Sequence, residues 1–376
     1  MLRGIVTTGL VLAALVAPAK AENALLEETV EFTGAVLFIS SGVPGLILGV
    51  VQDGETAIAG FGKTRDEEGQ EPDGDTVLRI GSISKVFTGL ALAHAASNGT
   101  VALTDPLSKH LKWNVELPTK EGREIRLIDA ATQSSGLPRE FDFPPGPANN
   151  PYVNHDEAHF VEALKSAELL YAPGGGILYS NVGFDILAAT LADATGKSYA
   201  VLLEETVTGP IGLQHTGFAL PKVSPQLMQG HDWHGKPMVD IESAPGIYGS
   251  GALFSTTNDI LHWLEWNLDR FNPKHAAWRN LSQASYLWRD GLAPVYGMDE
   301  SGHMDAMALG WVVMQPEGDR PLILQKAGGM QGVFTYTAFS PHRNIGAFVA
   351  INEFDFDTAM KMAEVVNELI ATLAPR

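Results

Sequence analysis

The stretch that decides the fold is Arg79-Ile80-Gly81-Ser82-Ile83-Ser84-Lys85-Val86-Phe87-Thr88-Gly89. The residues Thr76–Ile80 predict a short strand, and the residues from Ser82 onward predict a helix whose apolar side chains recur every three or four positions. Because residues three apart share one face of a helix, the Ser82 hydroxyl and the Lys85 amine are expected to meet in its first turn. The stretch therefore predicts a strand-to-helix junction that carries a serine–lysine pair.

This pair has the chemistry of an activated nucleophile. A serine hydroxyl needs a neighbouring base to become nucleophilic. An amine that is buried at a helix N-terminus has a lowered pKa, because both burial and the helix dipole disfavour its positive charge. The backbone N–H of Ser82 is also expected to point toward a developing oxyanion. Taken alone, the four residues are explained more simply by a serine that caps a helix and a lysine at the surface.

A second candidate element is Tyr179-Ser180-Asn181, which follows the turn Pro173–Gly176 and precedes an apolar helix. A phenol beside an ammonium group can exchange protons with a leaving group, which is the role expected for Tyr179. The Asn181 amide offers both a donor and an acceptor, so it can orient a lysine and a substrate amide. Taken alone, this triplet is again more simply an ordinary helix N-cap.

The third element is Lys326-Ala327-Gly328-Gly329 at the end of an apolar strand, with the strand Val333–Phe339 returning after a glycine-rich turn. Small residues on an edge strand allow a substrate backbone to approach and pair with it. The Gly329 N–H is a candidate for the second oxyanion donor. Taken alone, the segment is more simply a hairpin tip with a solvated lysine.

The order of predicted elements indicates an α+β fold with an antiparallel sheet flanked by N- and C-terminal helices and a mostly helical lobe inserted between its two parts. The predicted divisions are residues 22–106, 107–305 and 306–376. Strands are predicted within 34–62 and at Thr76–Ile80, Leu309–Gln315, Leu322–Lys326, Val333–Phe339 and Ile345–Ile351. Helices are predicted at Asp156–Leu169, Phe184–Thr195, Tyr199–Val207, Thr257–Leu268 and Thr358–Leu373.

Residues 1–21 have the pattern of a signal peptide with cleavage after Ala21. Arg3 is followed by the apolar run Gly4–Val16, which is too short to span a bilayer, and then by Ala19-Lys20-Ala21. A periplasmic or secreted protein is therefore predicted, with no integral membrane segment after cleavage. An N-terminal membrane anchor is the weaker alternative.

Composition excludes several classes of function. The chain of 376 residues has no cysteine, so disulfides and thiol nucleophiles are absent, and its net charge of −19 disfavours nucleic acid as a partner. His155 and His159 have the spacing of a zinc protease helix, but Asp156 stands where the glutamate would follow the first histidine. Neither a metal nor a cofactor is predicted.

The three elements together resemble the serine β-lactamase and penicillin-binding protein superfamily, whose S-x-x-K motif matches Ser82–Lys85. The chain is similar to class C β-lactamases and, more closely, to the AmpH-type D-alanyl-D-alanine carboxypeptidase/endopeptidases. The closer similarity rests on Ala131-Thr132-Gln133-Ser134-Ser135-Gly136-Leu137-Pro138-Arg139, Leu309-Gly310-Trp311, Gln325-Lys326 and Asn344-Ile345-Gly346-Ala347-Phe348. The resemblance covers nearly the whole chain after residue 21.

The resemblance implies that Ser82 is acylated and that Lys85 accepts its proton, while Tyr179 shuttles protons. It further implies that Asn181 positions Lys85 and substrate and that Lys326 adds positive potential. Members of the family contact a substrate carboxylate through the threonine of K-T-G, and here Ala327 has no hydroxyl. Asn352, near the end of the next strand, is a candidate to compensate.

The leading functional hypothesis is a secreted, penicillin-binding serine hydrolase that forms an acyl-enzyme on D-Ala-D-Ala peptides of peptidoglycan. Its expected partners are these peptides or another small acyl substrate, and β-lactams. A class C-like β-lactamase, a carboxylesterase on the same scaffold and a penicillin-binding receptor without turnover are the alternatives.

Overall fold

The structure is a computed structural model that describes residues 17–376. The strands are β1 Gly45–Gln52, β2 Glu55–Gly62, β3 Val77–Arg79, β4 Ile177–Leu178, β5 Phe254–Thr256, β6 Leu287–Trp288, β7 Val295–Tyr296, β8 Ala306–Met307, β9 Val312–Met314, β10 Ile323–Met330, β11 Val333–Ser340 and β12 Ile345–Ile351. The helices are α1 Ala17–Ser41, α2 Ser84–Ser97, α3 Leu127–Ala131, α4 Glu157–Leu164, α5 Asn181–Thr195, α6 Tyr199–Leu203, α7 Gly209–Ile211, α8 Thr257–Leu268, α9 Ala276–Gln283 and α10 Phe356–Leu373. Short 3₁₀ turns lie at Gly81–Ile83, Leu107–Lys109, Pro245–Ile247 and Arg289–Gly291, and a π turn lies at Glu204–Thr208.

Residues 1–16 of the predicted signal peptide lie outside the described residues. The described part of helix α1 starts at Ala17, so the predicted cleavage position after Ala21 follows the fifth of its residues. In residues 17–376, no single helix has both the length and the apolar composition needed to cross a bilayer. The bent pair α5 and Tyr199–Ile211 meets that criterion only when its two parts are taken together.

An antiparallel sheet of eight strands, in the order β2-β1-β12-β11-β10-β9-β8-β6, forms the centre of the molecule. The hairpin β1–β2 near the N-terminus joins the C-terminal strands through the pairing of β1 with β12, whose register sets Gly49 opposite Phe348. The predicted α+β fold with an antiparallel sheet is therefore confirmed. The two pairs β3–β5 and β4–β7 lie outside the large sheet.

The two faces of the sheet are covered by different helices. On one face, α1 and α10 bury an apolar cluster with alternate residues of β1, β11 and β12, including Leu37, Leu48, Tyr336, Val349 and Ile370. On the other face, α2 and α8 bury a second apolar cluster with the intervening strand residues. This cluster includes Phe87 of α2, Trp263 of α8, Phe339 of β11 and Phe348 of β12. This alternation is what a strand buried on both faces requires, since successive side chains point to opposite sides.

The prediction of short strands from residue 34 onward is wrong for residues 34–41, which belong to helix α1. The reason is tertiary packing, because Phe38 stacks on Phe61 of β2 and the ring of Phe61 lies against Gly34, where a Cβ would be 2.6 Å from its Cε2 atom. The β-branched and aromatic residues of this segment favour a strand only in isolation.

The strand predicted at Leu309–Gln315 begins only at Val312. The backbone turns at Gly310, with φ of +83°, and a Cβ there would be 2.8 Å from the Lys85 carbonyl oxygen. Leu309-Gly310-Trp311 therefore packs closely against helix α2 instead of extending the strand.

The division of the chain at residues 106/107 and 305/306 stays a prediction. Helix α8 and strand β6 both fall within 107–305, yet α8 packs on β1 and β12, and β6 forms one edge of the large sheet.

Candidate active site

The Ser82 segment lies against the open end of strand β10. Strand β9 pairs with β10 only from Ile323 to Gln325, so from Lys326 onward this edge of β10 is free of β9. A Cβ at Gly328 would be 2.1 Å from the Ile80 carbonyl oxygen, and one at Gly81 would be 2.5 Å from the Gly329 nitrogen. Glycine is therefore needed on both sides of this contact, and it brings the Ser82 and Gly329 segments together.

Ser82 belongs to the 3₁₀ turn Gly81–Ile83, which leads directly into α2. No side chain caps either element, so the simple explanation of Ser82 as a helix cap does not apply. Its side chain is half-buried and lines a cavity of about 230 Å³ together with Lys326, Gly329 and Tyr179. The serine hydroxyl is thus accessible, as a nucleophile must be.

Lys85 is fully buried beneath Ser82, and its amine has three contacts within hydrogen-bond distance. The Nζ atom is 3.0 Å from Ser82 Oγ, 2.5 Å from Asn181 Oδ1 and 2.6 Å from the Ser250 carbonyl oxygen. The last two atoms can only accept hydrogen bonds. A neutral amine has two N–H groups and one lone pair, so when both N–H groups serve these carbonyl oxygens the lone pair faces the Ser82 hydroxyl. This is the orientation of a base that takes the serine proton.

Burial lowers the pKa of the Lys85 amine from its usual 10.5 to about 7, although the carboxylates of Asp185 and Glu140 oppose this change. Burial removes the water that stabilises the ammonium form, and this loss exceeds the attraction of the two carboxylates for the positive charge. Near neutral pH a large fraction of Lys85 is therefore the free amine.

Asn181 begins helix α5, and its amide orientation is fixed from both ends. Its Nδ2 group donates a hydrogen bond to Glu140 Oε1, so its Oδ1 atom faces Lys85. Ser180 caps the same helix by accepting from the Gly183 N–H at 3.0 Å and donates to the Pro138 carbonyl at 2.6 Å. The helix-cap explanation of the triplet is therefore correct for Ser180, while Asn181 contacts Lys85.

Three basic side chains lie over the Tyr179 ring. Lys85 Nζ, Lys326 Nζ and Arg139 Cζ each lie 4.8 Å from its centroid. Such contacts stabilise the cations on the ring face. Burial also lowers the pKa of Lys326, an effect that the neighbouring Tyr179 opposes. The structure thus brings Ser82, Lys85, Tyr179, Asn181, Lys326, Gly328 and Gly329 into one site.

Asn352 does not join this group. Its side chain is buried and donates to the Lys63 carbonyl oxygen at 3.1 Å. It follows β12, which is separated from β10 by strand β11, so two strand spacings of about 4.8 Å each lie between them. The proposal that Asn352 compensates for the missing hydroxyl of Ala327 is therefore wrong on geometry.

Sequence reasoning missed a buried acid, Asp185, one helical turn after Asn181. Ser250 Oγ donates to its Oδ2 atom at 3.0 Å, and the Ser250 carbonyl oxygen accepts from Lys85. Burial raises the pKa of Asp185 well above its usual range, although Lys85 and Ser250 oppose this. An aspartate within the apolar run of α5 was a signal available in the sequence, because unpaired carboxylates are rarely buried. The contribution of Ser250 had no such signal.

Comparisons with known proteins agree with this geometry. The family model described as Beta-lactamase matches residues 13–371. The chain belongs to the β-lactamase family. It is 35% identical to the D-alanyl-D-alanine-carboxypeptidase/endopeptidase AmpH of Escherichia coli K12 over 340 aligned residues. The alignment covers 90% of this chain and 87% of that protein. A β-lactamase of Pseudomonas fluorescens is 25% identical and covers 87% of this chain and 94% of its own length.

Solved structures give the same assignment. The β-lactamase/D-alanine carboxypeptidase from Yersinia pestis complexed with citrate has a TM-score of 0.83 and 36% identity, and the match covers 93% of this chain and 99% of that one. A class C β-lactamase, 18% identical, has a TM-score of 0.76 over 94% of this chain and 97% of its own, which supports the fold alone. The predicted resemblance, and the prediction of a serine hydrolase of this family, are confirmed.

Proposed function

We propose that this protein forms an acyl-enzyme at Ser82 on D-Ala-D-Ala peptides of peptidoglycan, and that it reacts with β-lactams in the same way. The observation that carries the proposal is the Lys85 amine, which has a pKa of about 7, lies 3.0 Å from Ser82 Oγ and is held by two obligate acceptors. The AmpH relative is named for this activity, and it is 35% identical to this chain over 340 residues.

In the proposed reaction, Lys85 accepts the Ser82 proton as Oγ attacks the carbonyl carbon of the substrate. The negative charge on the carbonyl oxygen is stabilised by the backbone N–H groups of Ser82 and Gly329. The bond to the leaving group then breaks, and the leaving group takes a proton through Tyr179. Water hydrolyses the resulting ester and returns the proton to Ser82 Oγ, which regenerates the enzyme.

The free edge of β10 supports the choice of a peptide substrate. An extended peptide can pair its backbone with the segment from Lys326 to Gly329, and the adjacent glycines leave room for it. Export to the periplasm or to the exterior, where peptidoglycan is found, is part of this proposal and rests on the signal-peptide pattern of residues 1–21.

A carboxylesterase is the second candidate, and one observation favours it. Position 327 presents a methyl group where a carboxylate would need a hydrogen-bond donor. An ester without a carboxylate has no such requirement.

The test is to incubate the purified protein with a fluorescent penicillin, a D-Ala-D-Ala peptide, a chromogenic cephalosporin and a short-chain ester. We expect peptide hydrolysis and a covalent penicillin adduct, both absent in Ser82→Ala and both strongly reduced in Lys85→Arg, because a guanidinium does not release its proton near neutral pH. If the Ser82→Ala variant gains the same penicillin adduct mass as the wild type, the proposal of an acyl-enzyme at Ser82 is refuted. Turnover of the ester alone would favour the esterase, and an adduct without turnover of any substrate would favour a receptor.

A further inference from the structure

The Arg139 guanidinium lies over the Tyr179 ring, with its Cζ atom 4.8 Å from the ring centroid. Arg139 also lines the cavity that contains Ser82 and Lys326. The Lys326 Nζ atom lies at the same distance from the same centroid, so the two basic groups are at most twice that distance apart. An arginine that was not predicted as a site residue therefore lies beside both the nucleophile and the proposed proton donor.

The backbone of Arg139 is fixed, while its side chain can reach a ligand. Its carbonyl oxygen accepts hydrogen bonds from the N–H groups of Asn181 at 2.9 Å and Val182 at 3.4 Å. These two residues follow closely after Tyr179, so the Arg139 backbone is held next to the site. The Arg139 side chain is exposed, and its position along the Tyr179 ring points it into the cavity.

Among the residues that the structure describes, neither Arg139 nor Lys326 forms an ion pair. The ion pairs of lysine and arginine side chains within residues 17–376 all involve other residues. The carboxylate that follows Arg139 in the sequence, Glu140, accepts from the Asn181 amide instead. Lys326 is only 5% exposed, so its ammonium form is largely desolvated. An anionic group on a ligand would supply the partner that both side chains lack.

The charge balance of the cavity is opposite to that of the whole protein. The chain has a net charge of −19, yet the charged residues that line this cavity are Arg139, Lys326 and the single acid Glu300. The walls of a cleft have a low dielectric constant and strengthen such a field inside it. The cavity therefore favours an anionic group over a neutral group of the same size.

The carboxylate of a D-Ala-D-Ala substrate is expected at this place. It belongs to the leaving D-alanine, in which one carbon atom separates it from the nitrogen that Tyr179 is proposed to protonate. A side chain that contacts the Tyr179 ring is therefore within reach of this carboxylate. A guanidinium is always charged, and its planar set of N–H donors matches a carboxylate in a bidentate pair. Arg139 thus offers the donors that Ala327 lacks and that Asn352 does not supply.

From these observations we propose that Arg139 binds the substrate carboxylate and determines the preference of this enzyme for carboxylate-bearing substrates. The inference rests on the proposed acyl-enzyme function and identifies the side chain that recognises its substrate class. It differs from a general role in catalysis, because its effect is confined to substrates that carry the negative charge.

The test compares two thioesters of N-acetyl-D-alanine, whose leaving thiols are thioglycolate and the methyl ester of thioglycolate. They share the acyl group, and they differ in whether the leaving thiol carries a carboxylate one carbon from its sulfur. Thiol release is followed with a disulfide reagent, and the ratio of the two kcat/KM values is measured for each protein. We expect Arg139→Ala to lower the ratio of carboxylate to methyl ester substrate by about ten- to a hundredfold, which is the effect of losing one hydrogen bond to a charged group.

Arg139→Met separates the charge from the packing of the side chain. Methionine keeps an apolar stem against the Tyr179 ring but has no N–H donor, so its ratio should fall as far as that of Arg139→Ala. The matched control is Arg343→Ala, which removes the same charge from an exposed residue after Ser340, at the other end of β11 from the site. Its ratio should equal that of the wild type. Thermal unfolding of all variants shows whether they are folded.

The outcomes separate the two proposals. If thioester hydrolysis is unchanged in Ser82→Ala, the acyl-enzyme proposal fails and the role of Arg139 falls with it. If hydrolysis depends on Ser82 but Arg139→Ala lowers both rates equally or leaves both unchanged, only the role of Arg139 is refuted. A wild-type ratio in Arg139→Met would also refute that role, because packing on Tyr179 would then explain the loss in Arg139→Ala.

Discussion

Replacing Lys85 by methionine should abolish acylation and remove a destabilisation of the folded state that the wild type carries at pH 6 and largely loses by pH 9. The reason is that Lys85 is fully buried, and burial lowers its pKa from 10.5 to about 7. The unfolded chain holds the proton up to about pH 10.5, so below pH 7 the folded state carries a charge that it disfavours. A methionine of similar length removes this charge and fills the same space.

The magnitude follows from linkage. Each unit of pKa difference corresponds to about 1.4 kcal/mol, so a lowering from 10.5 to about 7 destabilises the folded state by about 5 kcal/mol at pH values below 7. The variant leaves Asn181 Oδ1 and the Ser250 carbonyl oxygen without their donor, which costs about 1–3 kcal/mol for each. The two losses together cost about 2–6 kcal/mol, so the net change at pH 6 lies between a destabilisation of about 1 kcal/mol and a stabilisation of about 3 kcal/mol.

The sign with pH is fixed by the direction of the shift. A lysine whose folded pKa is lowered destabilises the folded state fully below that pKa, and the penalty disappears as pH rises through the unfolded value. Between pH 7 and pH 9 the wild type should therefore gain about 2 kcal/mol relative to Lys85→Met. This slope does not depend on the cost of the two lost hydrogen bonds, so it is the sharper observable.

The assay is equilibrium unfolding in urea at pH 6, 7, 8 and 9, with the free energy of unfolding extrapolated to water for each protein. The control is Lys165→Met, because the Lys165 side chain is 57% exposed and forms only a surface ion pair with Glu162. Its stability should follow the wild type at every pH. A constant difference between wild type and Lys85→Met from pH 6 to pH 9 would refute the buried, deprotonated base.

Two further predictions concern activity. For the wild type, the second-order rate of acylation should rise with pH through a midpoint near 7, because only the neutral Lys85 amine accepts the Ser82 proton. Stopped-flow labelling with a fluorescent penicillin measures this rate. A rate that stays constant from pH 5.5 to pH 8.5 would contradict the prediction. Ala327→Thr should restore one hydrogen bond to a substrate carboxylate, worth about 1.5–3 kcal/mol, and so raise acylation by carboxylate-bearing substrates by about ten- to a hundredfold. Hydrolysis of a neutral ester should change little or fall, and a gain on esters with a loss on carboxylate substrates would favour the esterase.

The parts of this site that could be predicted from the sequence are those fixed by local geometry. Ser82 and Lys85 are three residues apart on a helical turn, so their contact follows from spacing alone. The strands β11 and β12 and helix α8 were found because their apolar residues have the expected period and their ends carry turn or capping residues.

The parts that could not be predicted depend on residues that are distant in sequence. Ser250 donates to Asp185 and accepts from Lys85, yet these three residues lie on three separate segments that only the folded chain brings together. Residues 34–41 look like a strand locally but form a helix because of Phe61 on the neighbouring hairpin. The prediction for Asn352 was wrong for a related reason. Its strand β12 follows soon after β10 in the sequence, but strand β11 lies between the two in the sheet.

The orientation of the base is set from two directions, and this explains why so many polar groups surround one amine. On the solvent side, Glu140 accepts from the Asn181 amide and thereby turns the Asn181 oxygen toward Lys85. On the buried side, Asp185 holds the Ser250 hydroxyl, while the Ser250 carbonyl oxygen takes a second N–H of Lys85. With both N–H directions occupied, rotation of the amine would break at least one hydrogen bond. In the neutral form of the amine, the lone pair is then directed toward Ser82 before any substrate arrives, which is the preorganisation that an efficient base requires.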